Sequence, residues 1–596
     1  MAIRFAVVLA SVATLILTYS LLVGDFSLDY VARTTSRATP WPYRVSALWG
    51  GMEGSLLFYA ALLLWVGTLG VRRRGRVEHV VVAVTGLGLL LLTALASNPF
   101  TRLAIPAVDG EGLLAILQHP AMIYHPPILY LGLTTLIVPF AITAGAVVRR
   151  NLSNRWLADA RRTLTFSWVL LTFGMVAGAN WAYIELGWGG FWAWDSVENT
   201  ALMPWLAATV YLHTSRVTER DGRLLRWTAF FAMFPFALGV LGVYLTRSGV
   251  TGSIHSFAED PVIGKTLLIS ALVVAAVVIA LTFGGNKGRD WGEPGTGRDT
   301  WLAASGFLVA ASLMFVLVGS AYPAYLQVFG GASVVVDTRF FVSTVSPVAL
   351  VIAVLIGFAL DTTWSRAGMR PVDLIVFGSA SGLAVLIALT LGEETPPAGV
   401  ALVGLATGAL AVMVLHASTG RLPRLIDPAR LAHLGMAMVL VGAGGSSLGA
   451  EFTGPMSVGE TVDVGSHSVE LVSVSTGEAN RYIYVEGVFI VDGNVELTPQ
   501  IRAYEAQGIP VSEPALRSTP LSDIIVAVSV LSPDLDGFEV SVFVRPMVWW
   551  VWVGALVISL AGATALAWRD GVGGERRREA RAALPPAGTT SGTTGR

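Results

Sequence analysis

Fourteen apolar runs, each long enough to cross a bilayer as a helix, begin near residues 3, 44, 79, 121, 164, 197, 228, 262, 301, 341, 373, 398, 431 and 546. A run of about 20 apolar residues matches the hydrocarbon thickness of a membrane. Lipid offers no partner to an unpaired backbone group, so spans of this kind must be helical. The composition agrees: of 596 residues, 54% are hydrophobic and 13% charged, where soluble domains carry about 25% charged residues. There is no cysteine, which excludes a disulfide, a thiolate metal site and a cysteine nucleophile. The first run has neither a strong basic flank nor a small-residue cleavage site, and reads as a retained helix rather than a signal peptide. No internal repeat is found.

Basic residues set the expected orientation. With the amino terminus placed in the cytoplasm, 28 of the 39 Lys and Arg fall on the inner side, 7 in short outer loops and 4 in one large outer segment, an asymmetry of the kind the positive-inside rule describes. The inner segments are Arg72 to Arg76, Arg149 to Arg162, Arg216 to Arg226, Lys287 to Arg298, Arg366 to Arg370, Arg421 to Arg430 and the tail from Arg569. The large outer segment, 451–545, carries alternating β-branched pieces after Arg481, Asp523 and Phe538, separated by turn residues, and predicts a small all-β domain. The fold class expected is therefore an all-α polytopic membrane protein with a small all-β extracytoplasmic domain before the last helix. Its parts are a bundle over 1–450, the β domain at 451–545, a final helix at 546–568, and a disordered cytoplasmic tail at 569–596 rich in Arg, then Pro, Gly, Ser and Thr.

The bundle is interrupted by WGGFWAWDSVENTALMPWL, Trp188 to Leu206. Three tryptophans and a phenylalanine fall within seven residues, spaced by two glycines. Asp195 and Glu198 have the spacing of an N-cap with its capping box, so a helix is predicted to begin there, with Pro204 kinking it. Two readings of the rings stand: an interfacial aromatic belt or a platform for a flat ligand. The string WGGFWAWDSVEN resembles the tryptophan-rich WWD signature of the haem-handling proteins of cytochrome c maturation, which favours the platform.

Placed on this topology, the eight histidines sort by depth. His213 and His433 fall at the same inner depth on different helices, where two imidazoles can ligate one haem iron from both sides; each alone could equally be a hydrogen-bonded residue at a helix end. His125, followed by Pro126 and Pro127, and His255 lie on the outer face with the tryptophans, and suggest a second haem position over the rings. The prolines by themselves suit a rigid helix entry. No role is assigned to His79, His119, His416 or His467. Glu53, Glu185, Arg102 and Arg247 stand at membrane ends, where ionisable groups are functional candidates. The arginines could clamp haem propionates, or pair with the two glutamates structurally.

Over nearly its whole length the chain resembles the CcmF-type haem lyase family of bacterial cytochrome c maturation. The matching pieces are WGGMEGSLL (49–57), YHPPILY (124–130), NWAYIELGWGGFWAWDSVEN (180–199), LTRSGV and SIHSFAEDP (245–261), LAHLG (431–435) and VRPMVWWVWVG (544–554). Ser196 departs from the proline that many relatives carry there. The resemblance implies that His125 and His255 flank a transient haem substrate at a site including Trp188, Trp192, Trp194 and Asp195, and that His213 and His433 hold a permanent haem b. It implies addition of CxxCH thiols across haem vinyl groups. The partners implied are apocytochrome c, a haem chaperone of CcmE type and apocytochrome-handling proteins of CcmH and CcmI type, in the bacterial inner membrane and without nucleic acid. A haem exporter or a secondary transporter would share the helices; the β domain and the LAHLG helix count against the former, and a bound haem would exclude the latter.

Overall fold

Apolar runs bounded by glycine, proline and arginine give seventeen α-helices among the described residues of a computed structural model. They are α1 (Ala2–Val23), α2 (Asp29–Thr34), α3 (Trp41–Ser46), α4 (Met52–Val71), α5 (Arg76–Ala96), α6 (Ala121–Thr135), α7 (Ile137–Val148), α8 (Asn154–Glu185), α9 (Ser196–Asp221), α10 (Leu225–Arg247), α11 (Pro261–Phe283), α12 (Arg298–Gly330), α13 (Thr338–Ala359), α14 (Pro371–Leu391), α15 (Pro397–Ser418), α16 (Pro428–Ser446) and α17 (Trp549–Ala582). The structure describes residues 2–250, 261–284, 298–331, 334–359, 370–392, 394–418, 427–479, 482–504, 510–531 and 537–582. His255, Lys287, Arg366, Arg421, Arg424 and Arg481, and the tail beyond 582, lie outside them.

Twelve of the described helical passages, rather than the expected fourteen, are long and apolar enough to cross a membrane, with α6 and α7 forming one passage. The two that fall short are α9 and α16, the helices that carry His213 and His433. Helix α9 mixes Glu198, Asn199, Arg216 and Glu219 into its apolar sequence, and α16 is a 19-residue helix that opens with Arg430 and His433. Both pack among other helices, α9 against α8, α10 and α12, and α16 against α15 and α17, so neither needs a fully apolar surface. The run expected from residue 44 is divided: Gly50 and Gly51 separate α3 and a short 3-10 turn from α4. Helix α17 continues to Ala582, past the Trp568 boundary read from the apolar pattern, because Glu, Arg and Ala are good helix formers.

The prolines of α6 sit inside the helix rather than at its mouth. Pro126 has no N–H to give the carbonyl four residues back. That carbonyl, on Met122, instead accepts a hydrogen bond from Trp49 Nε1 at 2.8 Å.

Among the described residues ten antiparallel strands follow α16: β1 (Glu451–Ser457), β2 (Thr461–Val464), β3 (His467–Ala479), β4 (Tyr482–Val491), β5 (Val495–Leu497), β6 (Gln500–Tyr504), β7 (Pro510–Glu513), β8 (Ala515–Ser518), β9 (Ser522–Leu531) and β10 (Gly537–Pro546). One sheet has the order β1-β10-β9-β8; the other runs β2-β3-β4-β6-β7, with β5 on β4. Val469, Leu471 and Phe489 from the second sheet bury against Val526, Val528, Phe538 and Val540 from the first. The sheets thus form a two-layer sandwich with one shared core.

Candidate functional site

The tryptophan-rich segment is held by its own backbone chemistry. Asp195 caps α9, and Glu198 completes the capping box. Glu198 Oε2 accepts from the N–H of Ala193 at 2.9 Å and of Asp195 at 3.2 Å, while Asn199 Nδ2 donates to the Trp194 carbonyl at 3.0 Å. Trp194 itself takes a left-handed backbone, φ 58°, a strained state for an aromatic residue that the surrounding bonds must enforce. Helix α9 then runs through Pro204 without interruption.

The rings do not form one exposed shelf. All are half-buried, and the left-handed turns at Gly187, Gly189 and Trp194 send them to different sides. Trp188 packs on the cluster containing Leu117 and Met122, one turn before His125. Phe191 joins Tyr183, Phe543 and Trp552. Trp194 stacks on Phe341 of α13 with centroids 5.4 Å apart and planes 1° from parallel, and Trp192 meets Trp194 edge-on at 6.2 Å.

The β sandwich grips this segment from the side. Arg545 Nε donates to the Gly189 carbonyl at 2.6 Å, and its other arm pairs with Glu451 at 2.6 Å. A Cβ on Gly189 would stand 2.3 Å from the Phe543 ring, and one on Gly187 would stand 2.9 Å from Pro514. Tyr183 of α8 donates its hydroxyl proton to Asp523 of β9 at 3.0 Å. Nothing local in the sequence announces the contacts of Arg545, Phe543, Pro514 and Asp523 with Gly187, Gly189 and Tyr183, which join residues more than 300 positions apart.

Below Trp192 and Trp194 lies a cavity of about 1390 Å³ whose wall includes both rings, then Trp168, Trp205 and Thr209, and finally His213 and His433. It exceeds the roughly 300–1,000 Å³ of ordinary ligand pockets. His213 Nδ1 bonds the Thr209 carbonyl at 2.8 Å, and His433 Nδ1 bonds the Ala429 carbonyl at 2.6 Å. A carbonyl can only accept, so Nδ1 carries the proton in both rings and Nε2 keeps its lone pair. The ring centroids are 6.1 Å apart, with planes 84° apart. Two metal–imidazole bonds of about 2 Å each, plus the distance from Nε2 to each ring centre, require a separation of roughly 6 Å. The pair therefore has the tautomers and spacing of a bis-imidazole iron site. Arg161, Arg162, Arg216 and Arg430 line the same end of the cavity, and sequence reasoning passed over them as inner-loop charge. At the other end the Trp192 indole N–H is buried with no hydrogen-bond partner among the described residues, a donor suited to an acidic oxygen.

His125 lies apart from this cavity, between α6 and α8. Its Nδ1 bonds the Gly174 carbonyl at 2.8 Å, and its ring fills the space that Gly178 leaves. Its partner in the outer pair, His255, is among the residues outside the description. Glu53 pairs with Arg33 at 2.6 Å, Arg247 bonds the Tyr130 hydroxyl at 3.0 Å, and Arg102 bridges to Leu28 through its backbone. Neither arginine lines the cavity. Glu185, buried at the end of α8, lies 3.9 Å from His119.

A polytopic bundle with paired histidines between its helices and a β sandwich locked onto a tryptophan-rich segment defines a membrane protein of the cytochrome c assembly type, and residues 49–254 match the family model for cytochrome C assembly protein. The CcmF cytochrome c-type biogenesis protein of Haemophilus influenzae is 31% identical over 93% of this chain and 90% of its own length. That of Pseudomonas aeruginosa is 34% identical over 92% and 88%. A solved structure titled Cytochrome c Heme Lyase CcmF superposes with a TM-score of 0.77 at 25% identity, covering 95% of this chain and 91% of that one. The chain belongs to the CcmF family of cytochrome c-type biogenesis proteins, and its role is in cytochrome c maturation.

Proposed function

We propose that this protein is a thioether-forming haem lyase. The observation that carries the reading is the His213–His433 pair, at 6.1 Å between ring centres and with both Nδ1 protons committed to helix carbonyls. These residues would hold a permanent haem b, with propionates toward Arg162, Arg216 and Arg430. When bound, that haem supplies one-electron redox chemistry. The substrate is a second, transient haem, with His125 and His255 as its iron ligands, Trp188 on the His125 side of the tryptophan-rich segment, and Trp192 offering its indole N–H. CxxCH thiols of apocytochrome c then add across the vinyl groups. In this reading the β-domain end faces the periplasm, and the haem arrives from a chaperone of CcmE type while CcmH- and CcmI-type proteins present the apocytochrome.

Purified protein is expected to show a six-coordinate, low-spin b-type spectrum. His213→Ala or His433→Ala removes or loosens that haem. His125→Ala leaves it in place but abolishes covalent haem in a reporter cytochrome c. Unchanged haem content and spin state in both inner variants would defeat the assignment.

A further inference from the structure

Glu185 is a carboxylate buried at a helix end where charge is costly, and its described titratable neighbour within 4 Å is a histidine whose tautomer is fixed. The Ala121 N–H donates to His119 Nδ1 at 3.1 Å. A neutral His119 therefore carries its proton on Nε2, the nitrogen 3.9 Å from Glu185 Oε2. From the β sandwich, Arg502 and Glu513, themselves paired at 3.3 Å, face the same carboxylate. Burial holds His119 below the ordinary imidazole range and Glu513 above the ordinary carboxylate range.

The placement of this dyad matters more than its composition. Gly174 and Gly178 are the points of α8 that His125 touches. Glu185 follows Gly178 by two helical turns, so it stands on the same face of α8, about 10 Å further along the axis. Trp188, whose indole N–H bonds the Ala182 carbonyl at 3.2 Å, folds back over this end of the helix. An iron ligand, a buried acid and an aromatic ring thus stand in file along one helix.

We propose that Glu185 is the proton-transfer group for thioether formation, with His119 positioning it. The carboxylate takes the proton of a substrate Cys S–H as sulfur bonds the inner vinyl carbon, and returns it to the terminal carbon. One S–H bond and one C=C π bond are consumed, one C–S and one C–H bond form, and no oxidant or reductant is needed. This rests on the assignment of the transient haem to His125.

The test uses the full-length protein in lipid nanodiscs with ferrous haem and a synthetic CxxCH peptide, following haem capture by absorbance and thioether formation by the covalent haem spectrum. Glu185→Gln is expected to capture haem as the native chain does while slowing thioether formation about a hundred-fold at pH 7. The deficit closes only above about pH 8.5, where a thiol ionises unaided. His119→Gln gives a smaller deficit with the same pH signature, and Glu185→Asp restores part of the rate. A native rate and pH profile in Glu185→Gln overturns the proposal; so does loss of haem capture, which would make Glu185 a binding group. Should that variant not accumulate, a native pH profile in His119→Gln overturns it instead. If His125→Ala leaves capture unchanged, the His125 haem reading fails and takes this placement of Glu185 with it; if His125→Ala loses capture while Glu185→Gln keeps the native rate, the proton-transfer role alone fails.

Discussion

At the scale of single residues, one hydrogen bond fixes the tautomer of each of His125, His213 and His433. Thr209, Ala429 and Gly174 each offer a carbonyl to an Nδ1, and so decide which nitrogen stays basic. The tightest of these seats is the one for His125: a Cβ on Gly178 would lie 2.4 Å from its Cε1 and 2.8 Å from its Nε2. Gly178→Ala is therefore expected to displace the ring and cut reporter cytochrome c maturation severely, while the absorbance of the inner haem b is retained; equal maturation would mean that His125 need not sit where it does. The His213–His433 juxtaposition was legible in sequence through matched depth, since a fixed rise per residue converts position into height. The Glu53–Arg33 and Glu185–His119 pairs were not, because Arg33 lies in a helix of only six residues and His119 in an irregular segment, neither long enough to carry a periodic signal of height.

At the scale of elements, the capping box at Asp195 was legible because it is a local rule, satisfied within four residues. Removing it with Asp195→Ala is expected to cost about 1 kcal/mol at the start of α9, read as a lower midpoint in thermal unfolding of the detergent-solubilised protein. Strands β4, β9 and β10 announce themselves by β-branched alternation, whereas β1 contains Gly454 and Pro455 and gives no such signal. The contact of β10 with the tryptophan-rich segment was invisible, because it depends on long-range pairing. Arg545→Gln removes a charged donor from the Gly189 carbonyl and from Glu451, a bond type of about 1.5–3 kcal/mol. The expected result is weaker haem capture at the Trp192 end with the inner haem unaffected, measured by haem titration of the purified variant. Full-affinity capture would show that the sandwich is not what positions the segment.

At the scale of the whole molecule, the distribution of arginine predicts which end faces which compartment. A reporter active only outside the cytoplasm should be active when fused within 451–545 and silent when fused after Arg569; the opposite pattern would invert the placement of both sites. The helical passages were legible in the sequence because lipid enforces a single solution. That α9 and α16 are the least apolar of them became meaningful only once their histidines were seen face to face.

The last helix has a bearing on order in time. Arg545 leads into α17, which packs along α8 and α16, and Gly554 of α17 meets Gly435 of α16 so closely that a Cβ on Gly435 would stand 2.5 Å from the Gly554 carbonyl oxygen. The helix bearing His433 and the segment bearing the tryptophans are thus both braced by the final tenth of the chain. A ribosome delivers that part last. A nascent protein still being threaded into the membrane holds all of its early histidines and tryptophans but lacks the braces on His433's helix and on the tryptophan-rich segment, so under the proposed function neither haem seat is finished until the chain is.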